Sequence, residues 1–180
     1  MKLEKKLLFT HKLGNCEFRT ISEKDISEDY LMGLREESKY IKYIPENVNR
    51  TAQAQYIRDI IDSERNTICG LFLNSELIGT AGIQNISEGQ KVSIGFLLFN
   101  KTLRGNGFGK VLVWASCFLT NSDKMSTVFF AGMKKENLAS LKACLSCGFI
   151  VNSESLDAYI VELLFKDLQI PTIIGDINVL

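Results

Sequence analysis

The chain has little to hold a metal with. It carries one histidine, His11, and its Cys144-x-x-Cys147 pair has no second pair to complete a four-ligand set. That pair sits at a predicted helix C-terminus, just before Gly148, where the helix dipole disfavours a thiolate, so a redox role is discounted too. An excess of charge is also missing. Lys+Arg and Asp+Glu both number 21 and the pI is about 6.6, which leaves no electrostatic footprint for nucleic acid. No apolar run approaches the length of a membrane span. The apolar stretch after Lys5-Lys6 is too short for a signal peptide, and five cysteines, an odd number, suit a reducing compartment. A cytoplasmic protein is expected. Repeats, low-complexity segments and linkers are absent, so the 180 residues predict a single domain, 1–180. At 46% hydrophobic and 23% charged, it can bury a sizeable core.

What the chain does have is a glycine-rich turn between a strand and a helix. The apolar run Ile94 to Phe99 feeds Asn100-Lys101-Thr102-Leu103-Arg104-Gly105-Asn106-Gly107-Phe108-Gly109-Lys110, and the apolar run Val111 to Leu119 follows. Free N–H groups and the positive dipole end at such a helix start form an anion site. Glycine lets backbone and ligand approach closely. A phosphorylated ligand is therefore expected here. A Walker loop does not fit, because Arg104 stands at its first glycine and Val111 at its hydroxyl. A dinucleotide fingerprint does not fit either, because Lys110 stands at its third glycine. The pattern present is Arg104-x-x-Gly107-x-Gly109.

The remaining elements follow from periodicity and punctuation. Lys5 to Lys12 and Cys16 to Ile21 read as strands about a Gly14-Asn15 turn, with His11 expected at the surface. Ser22 and Asp25 form a near capping box, and a helix is predicted from there to about Tyr40. Thr51 is expected to cap a second helix reaching about Ser63. Strands are predicted at Thr67–Leu73, Leu77–Asn85 and Lys91–Phe99, then a buried helix at about Gly107–Thr120. A strand at Ser126–Ala131, a helix from Asn137 to about Cys147 and strands at Phe149–Val151 and Ala158–Phe165 complete the series. The apolar tail Ile170–Leu180 is expected to pack on something that the sequence does not name.

The loop pattern resembles the acetyl-CoA pyrophosphate loop of the GNAT N-acetyltransferase superfamily. The order of elements resembles that family as well. A second segment, Asn137-Leu138-Ala139-Ser140 through Gly148-Phe149, is similar to the N-x-x-S…G-F stretch of the ribosomal-protein N-terminal alanine acetyltransferase branch. The resemblance covers about Cys16 to Phe165, a core of about 16–165 with the first strand and the tail appended. It implies an α+β, three-layer fold with a mixed, mostly antiparallel, twisted sheet flanked by helices. It further implies an acetyl-CoA-dependent N-acetyltransferase acting on a primary amine of a small molecule or a protein N-terminus. The alternative is a non-catalytic acyl-CoA-binding sensor. Acetyl-CoA is the expected co-substrate, with no metal, no nucleic acid and no membrane; a homodimer is left open.

Physical need and resemblance together nominate residues. Arg104, Gly105, Asn106, Gly107, Phe108, Gly109 and Lys110 are expected to hold the pyrophosphate. The backbone of Leu97, Leu98 and Phe99 is expected to pair with the pantetheine arm and polarise the thioester carbonyl, although the side chains also read as core. Asn137 reads as a cofactor-arm contact or a plain helix N-cap. Lys134 and Lys135 read either as partners of the 3′-phosphate of coenzyme A or as a solvated turn. Ser140 ranks above Cys144 as the acid for the leaving thiolate, and Cys144 also reads as a small buried residue. Ser93 stands where related enzymes often carry a glutamate base; serine is a poor base unless it holds a water relayed to Glu88. Tyr40, Tyr43, Ile44, Glu46 and Arg50 are the expected acceptor pocket.

Overall fold

The computed structural model describes residues 3–40, 48–86, 91–121 and 128–180. The chain begins with a hairpin of β1 (Leu7–His11) and β2 (Gly14–Thr20); its turn residues are Lys12 and Leu13, and the Gly14-Asn15 pair expected to make the turn instead opens β2, paired with His11 and Thr10. The helix predicted from Ser22 to Tyr40 is instead broken into three pieces. Ser22 and Asp25 cap a single 3-10 turn, Glu23–Asp25. Ile26 then returns to extended backbone, and Ser27 caps α1 (Glu28–Glu36) by accepting the Tyr30 N–H. Two serines that both favour a cap position divide the segment between them, and the Arg19 guanidinium pins Asp25 from β2. A second 3-10 turn, Ser38–Tyr40, follows. The cap of α2 (Arg50–Asp62) is Asn49 rather than Thr51: its side chain accepts the Ala52 N–H.

The strands β3 (Thr67–Leu73), β4 (Glu76–Gln84) and β5 (Lys91–Leu98) form an antiparallel meander onto β2. After the glycine turn comes α3 (Phe108–Asn121), then β6 (Val128–Lys134), α4 (Leu138–Leu145), β7 (Ile150–Glu154) and β8 (Ala158–Leu164). The tail supplies β9 (Ile174–Val179), which pairs antiparallel with β1. The result is one nine-stranded sheet, β7-β8-β6-β5-β4-β3-β2-β1-β9, in which only β5 and β6 run parallel. This is the expected α+β architecture.

Strand alternation sorts the side chains into two layers. On one face, Phe9, Phe18, Leu71, Ile83, Ile94, Phe129 and Val161 pack against α3, whose Trp114 is wholly buried. On the other, α1 and α2 cover Ile68, Phe72 and Leu77. Phe99 ties this second layer to the end of β5. Its ring meets Tyr30 edge-on at 5.7 Å, and its Cβ fills the space a side chain at Gly33 would need. Among the described residues, no helix is long and apolar enough to cross a membrane.

Candidate active site

The sheet is open between β5 and β6. Among the described residues these strands pair at Lys91↔Val128, Val92↔Phe129 and Ser93↔Phe130 and no further along β5. Beyond Ser93, β5 stays paired to β4 as far as Leu98, and β6 stays paired to β8 as far as Lys134. Ile94–Leu98 and Ala131–Lys134 therefore turn unpaired backbone edges toward one another. Such edges offer N–H and C=O groups to any extended, amide-bearing chain between them.

The glycine loop lies at the open end of this split. Asn100 caps a 3-10 turn, Lys101–Leu103, and the backbone then passes through Gly105 (φ +79) and Gly107 (φ +85), a region side chains disfavour. The first α3 bond runs from the Val111 N–H to the Gly107 carbonyl, 3.1 Å. The N–H groups of Phe108, Gly109 and Lys110 belong to the first turn and have no acceptor within the helix. The loop's carbonyls are turned inward instead: Leu103 accepts the Asn106 N–H, and the Asn106 side-chain amide donates to Leu103 and Arg104. Donors without partners and carbonyls already occupied are what an anion requires.

Neighbouring elements hold the loop. Arg104 pairs with Glu37 at 2.7 Å, and Lys101 with Glu36 at 2.7 Å, both glutamates standing at the end of α1. A Cβ at Gly107 would lie 2.2 Å from Ile173, so the tail covers this glycine. Gly105 has open space around it, and a Cβ at Gly109 would touch Ala143 of α4 at an ordinary 3.7 Å. His11 is buried rather than at the surface, because its ring lies under the loop, 4.4 Å from the Phe108 ring.

Across the split, Asn137 caps α4 and accepts the Ser140 N–H at 3.2 Å. Ser140 is half-buried at that helix start. Cys144, one turn on, is wholly buried beside Cys147, and burial pushes its thiol up to about 12. The two residues thus share a helix but not an environment. Lys135 pairs with Glu154 and stands over the Tyr159 ring, and Lys134 is exposed. Ser93 sits in the last β5–β6 pair, at the apex of the split. Of the β5 side chains, Leu97 packs toward α1 and α2, and Leu98 toward α3.

Arg50 is exposed and pairs with Glu28, while Tyr40 donates its backbone N–H to Glu37. Tyr43, Ile44, Glu46 and Glu88 lie outside the described residues. The face of the sheet beside α1 and α2 has an unexpected floor. Gly82 and Gly95 form a cross-strand pair, Gly132 lies across the split, and among the described residues a Cβ at any of the three would meet nothing within 4 Å. His11, Glu37 and Ile173 were missed as partners of the loop because each lies far from it in the chain. The three glycines carried no local turn signal.

The acetyltransferase (GNAT) domain model matches residues 16–150. Among solved structures, Mycobacterium smegmatis RimJ in complex with CoA-disulfide superposes with a TM-score of 0.76 at 14% identity, over 92% of this chain and 90% of that one. Ribosomal-protein-S5-alanine acetyltransferase from Vibrio fischeri gives 0.74 at 14% identity, over 90% and 98%. A chimera of spermidine N-acetyltransferase SpeG from Vibrio cholerae and hSSAT gives 0.66 at 14% identity, over 84% and 96%. No curated protein matches the sequence. The likeness in shape extends over nearly the whole chain, and the domain model takes in both the loop and α4: the protein belongs to the GNAT acetyltransferase family.

Proposed function

We propose that the protein transfers the acetyl group of acetyl-CoA to a primary amine of a small molecule or a protein N-terminus. The observation that carries this reading is the split between β5 and β6 with the glycine loop at its mouth. The residues suit the co-substrate. The N–H groups of Phe108, Gly109 and Lys110 would hold the pyrophosphate, with Arg104 and Lys110 adding charge, whereas the Asn106 N–H is already given to Leu103; the open edge of β5 would pair with the pantetheine amides. The thioester supplies an activated acyl carbon. A backbone N–H near Leu97 or Leu98 polarises its carbonyl as the amine attacks.

The amine approaches on the face floored by Gly82, Gly95 and Gly132, where space is open. Ser93, in the last β5–β6 pair, would hold a water that relays the amine proton out to bulk solvent. Ser140, half-buried at the start of α4, gives a proton to the departing thiolate. The Cys144 thiol reaches no solvent-facing space, so it serves packing.

Isothermal titration with coenzyme A tests the first half of the reading. Thiol release with an amine panel that includes spermidine and a peptide with an N-terminal alanine tests the second. Binding with turnover of at least one amine supports the transferase. Binding without turnover of any amine favours the sensor, which the serine at the base position already recommends. A chain that binds no coenzyme A would end both readings.

A further inference from the structure

Each carbonyl that the glycine loop turns inward has a donor, and for Asn106 that donor comes from the far end of the sequence. The first α3 bond uses the Gly107 carbonyl, so the Asn106 carbonyl falls one residue outside the helical ladder. His11 Nε2 lies 3.1 Å from it. The other ring nitrogen, Nδ1, accepts the Leu13 N–H at 3.2 Å, so it carries a lone pair and the ring hydrogen resides on Nε2. The imidazole is thereby fixed as one neutral tautomer that donates to the loop. Its position is fixed too: His11 is 6% exposed, pairs with Gly14 across the hairpin and with Ile174 of β9, and its ring lies against Phe108, the first residue of α3.

We propose that His11 is a positioning residue of the phosphate-binding loop. It holds the Asn106 carbonyl inward and seats Phe108, so that the N–H groups of the first α3 turn stay aimed at an anion. The inference rests on the reading that this loop takes the pyrophosphate of coenzyme A. The physical reason is direct. A carbonyl oxygen free to swing outward would set its negative end against the phosphates, and a buried one left without a donor would strain the turn. His11 removes both outcomes with one hydrogen bond. It touches none of the reacting atoms, so its effect belongs in affinity rather than in the chemical step.

The single histidine makes the test unambiguous. Long-range 15N–1H NMR of the wild-type imidazole should show the Nε2–H tautomer, with the Nε2 resonance moving when coenzyme A is added. A mixed or Nδ1–H tautomer, or an Nε2 signal indifferent to bound coenzyme A, overturns the proposal. Two substitutions divide the ring's work. His11→Gln reaches the Asn106 carbonyl with its amide but loses the local acceptor; His11→Asn keeps an acceptor near Leu13 but falls short of Asn106. His11→Gln should hold the Kd for coenzyme A within about threefold of wild type, whereas His11→Asn should weaken it about tenfold, the worth of one hydrogen bond. The KM for S-acetylpantetheine, which lacks the pyrophosphate, should stay unchanged in both, as should kcat. Equal loss on coenzyme A and S-acetylpantetheine, no loss in His11→Asn, or the reverse ranking would sink the proposal. Wild type that binds no coenzyme A would overturn the underlying reading, and the proposal with it. A wild type that binds normally while His11→Asn loses nothing overturns the positioning role alone.

Discussion

The two faces of the sheet around the β5–β6 split are built on opposite terms. The α3 face is filled: Trp114, Phe108 and Val111 have no exposed surface, and the chain after β8 crosses this side to bring Ile173 onto Gly107 before closing the far edge as β9. The other face is left open where the strands part, with three glycines at which, among the described residues, an added Cβ would meet nothing within 4 Å. A site that must hold a long anionic ligand in one pose gains from the first arrangement. A site that must admit a second substrate gains from the second. Substitutions that cross this division should separate stability from turnover.

The largest effect is expected from Trp114→Ala on the filled face. It deletes a wholly buried indole that stacks on Phe118 at 5.2 Å and meets Phe9 at 5.8 Å. A loss of about 3–5 kcal/mol is expected in urea unfolding; a loss below about 1 kcal/mol would mean that this face is not the packed one.

Ser140→Ala comes next and sharpens the contrast within a single helix. If the serine supplies the leaving-group proton, kcat should fall by about 10² or more, with little change in coenzyme A affinity. Cys144→Ala should instead lower the melting temperature and spare kcat, because that thiol is enclosed and held protonated by burial. Steady-state kinetics and melting curves on both variants decide it. A rate lost in Cys144→Ala but kept in Ser140→Ala would reverse the two roles.

Gly95→Ala tests the open face. Its Cβ has no neighbour within 4 Å, so folding stability should change by less than about 1 kcal/mol. The KM for the amine should rise several-fold while coenzyme A affinity holds. An unchanged amine KM would move the acceptor away from this floor.

The smallest effect is a pH dependence. Burial lowers the His11 pKa, with Lys12 acting the same way and the Asn106 carbonyl opposing both. Above about pH 6.5 both the folded and the unfolded forms are neutral. As pH falls through that value the unfolded chain binds the proton first, so stability is lost there. The melting temperature should drop between pH 7 and 5.5 in wild type by more than in His11→Asn. Parallel curves would show that the ring is not held neutral.

Much of the fold was legible in the residues because its cues are local. The capping asparagine before α4, Gly148 and the apolar runs of β3 to β5 between their turns each report on a few neighbouring positions, whereas Gly14-Asn15 pointed to the hairpin but missed its turn by two residues. The glycine loop was legible for the same reason, since a strand, a positive-φ turn and a helix start are contiguous in the chain. The break of the first helix was not, because Ser22 and Ser27 both offered caps and Arg19, a residue of another element, pins Asp25 in the turn between them. Nor was the fate of the tail: an apolar stretch advertises burial but not a partner.

By itself, then, the sequence determined which segments fold as most of the elements and where a glycine turn opens a helix N-terminus, because backbone geometry follows from residues close in the chain. Only the tertiary structure decided that β5 and β6 part after Ser93, that Ile173 and His11 close on the loop from opposite ends of the chain, and that Ser140 stays near solvent while Cys144 does not. Those features depend on contacts between residues far apart in sequence. The cost of burying a group, or the gain from leaving one open, is set by what the completed fold brings beside it.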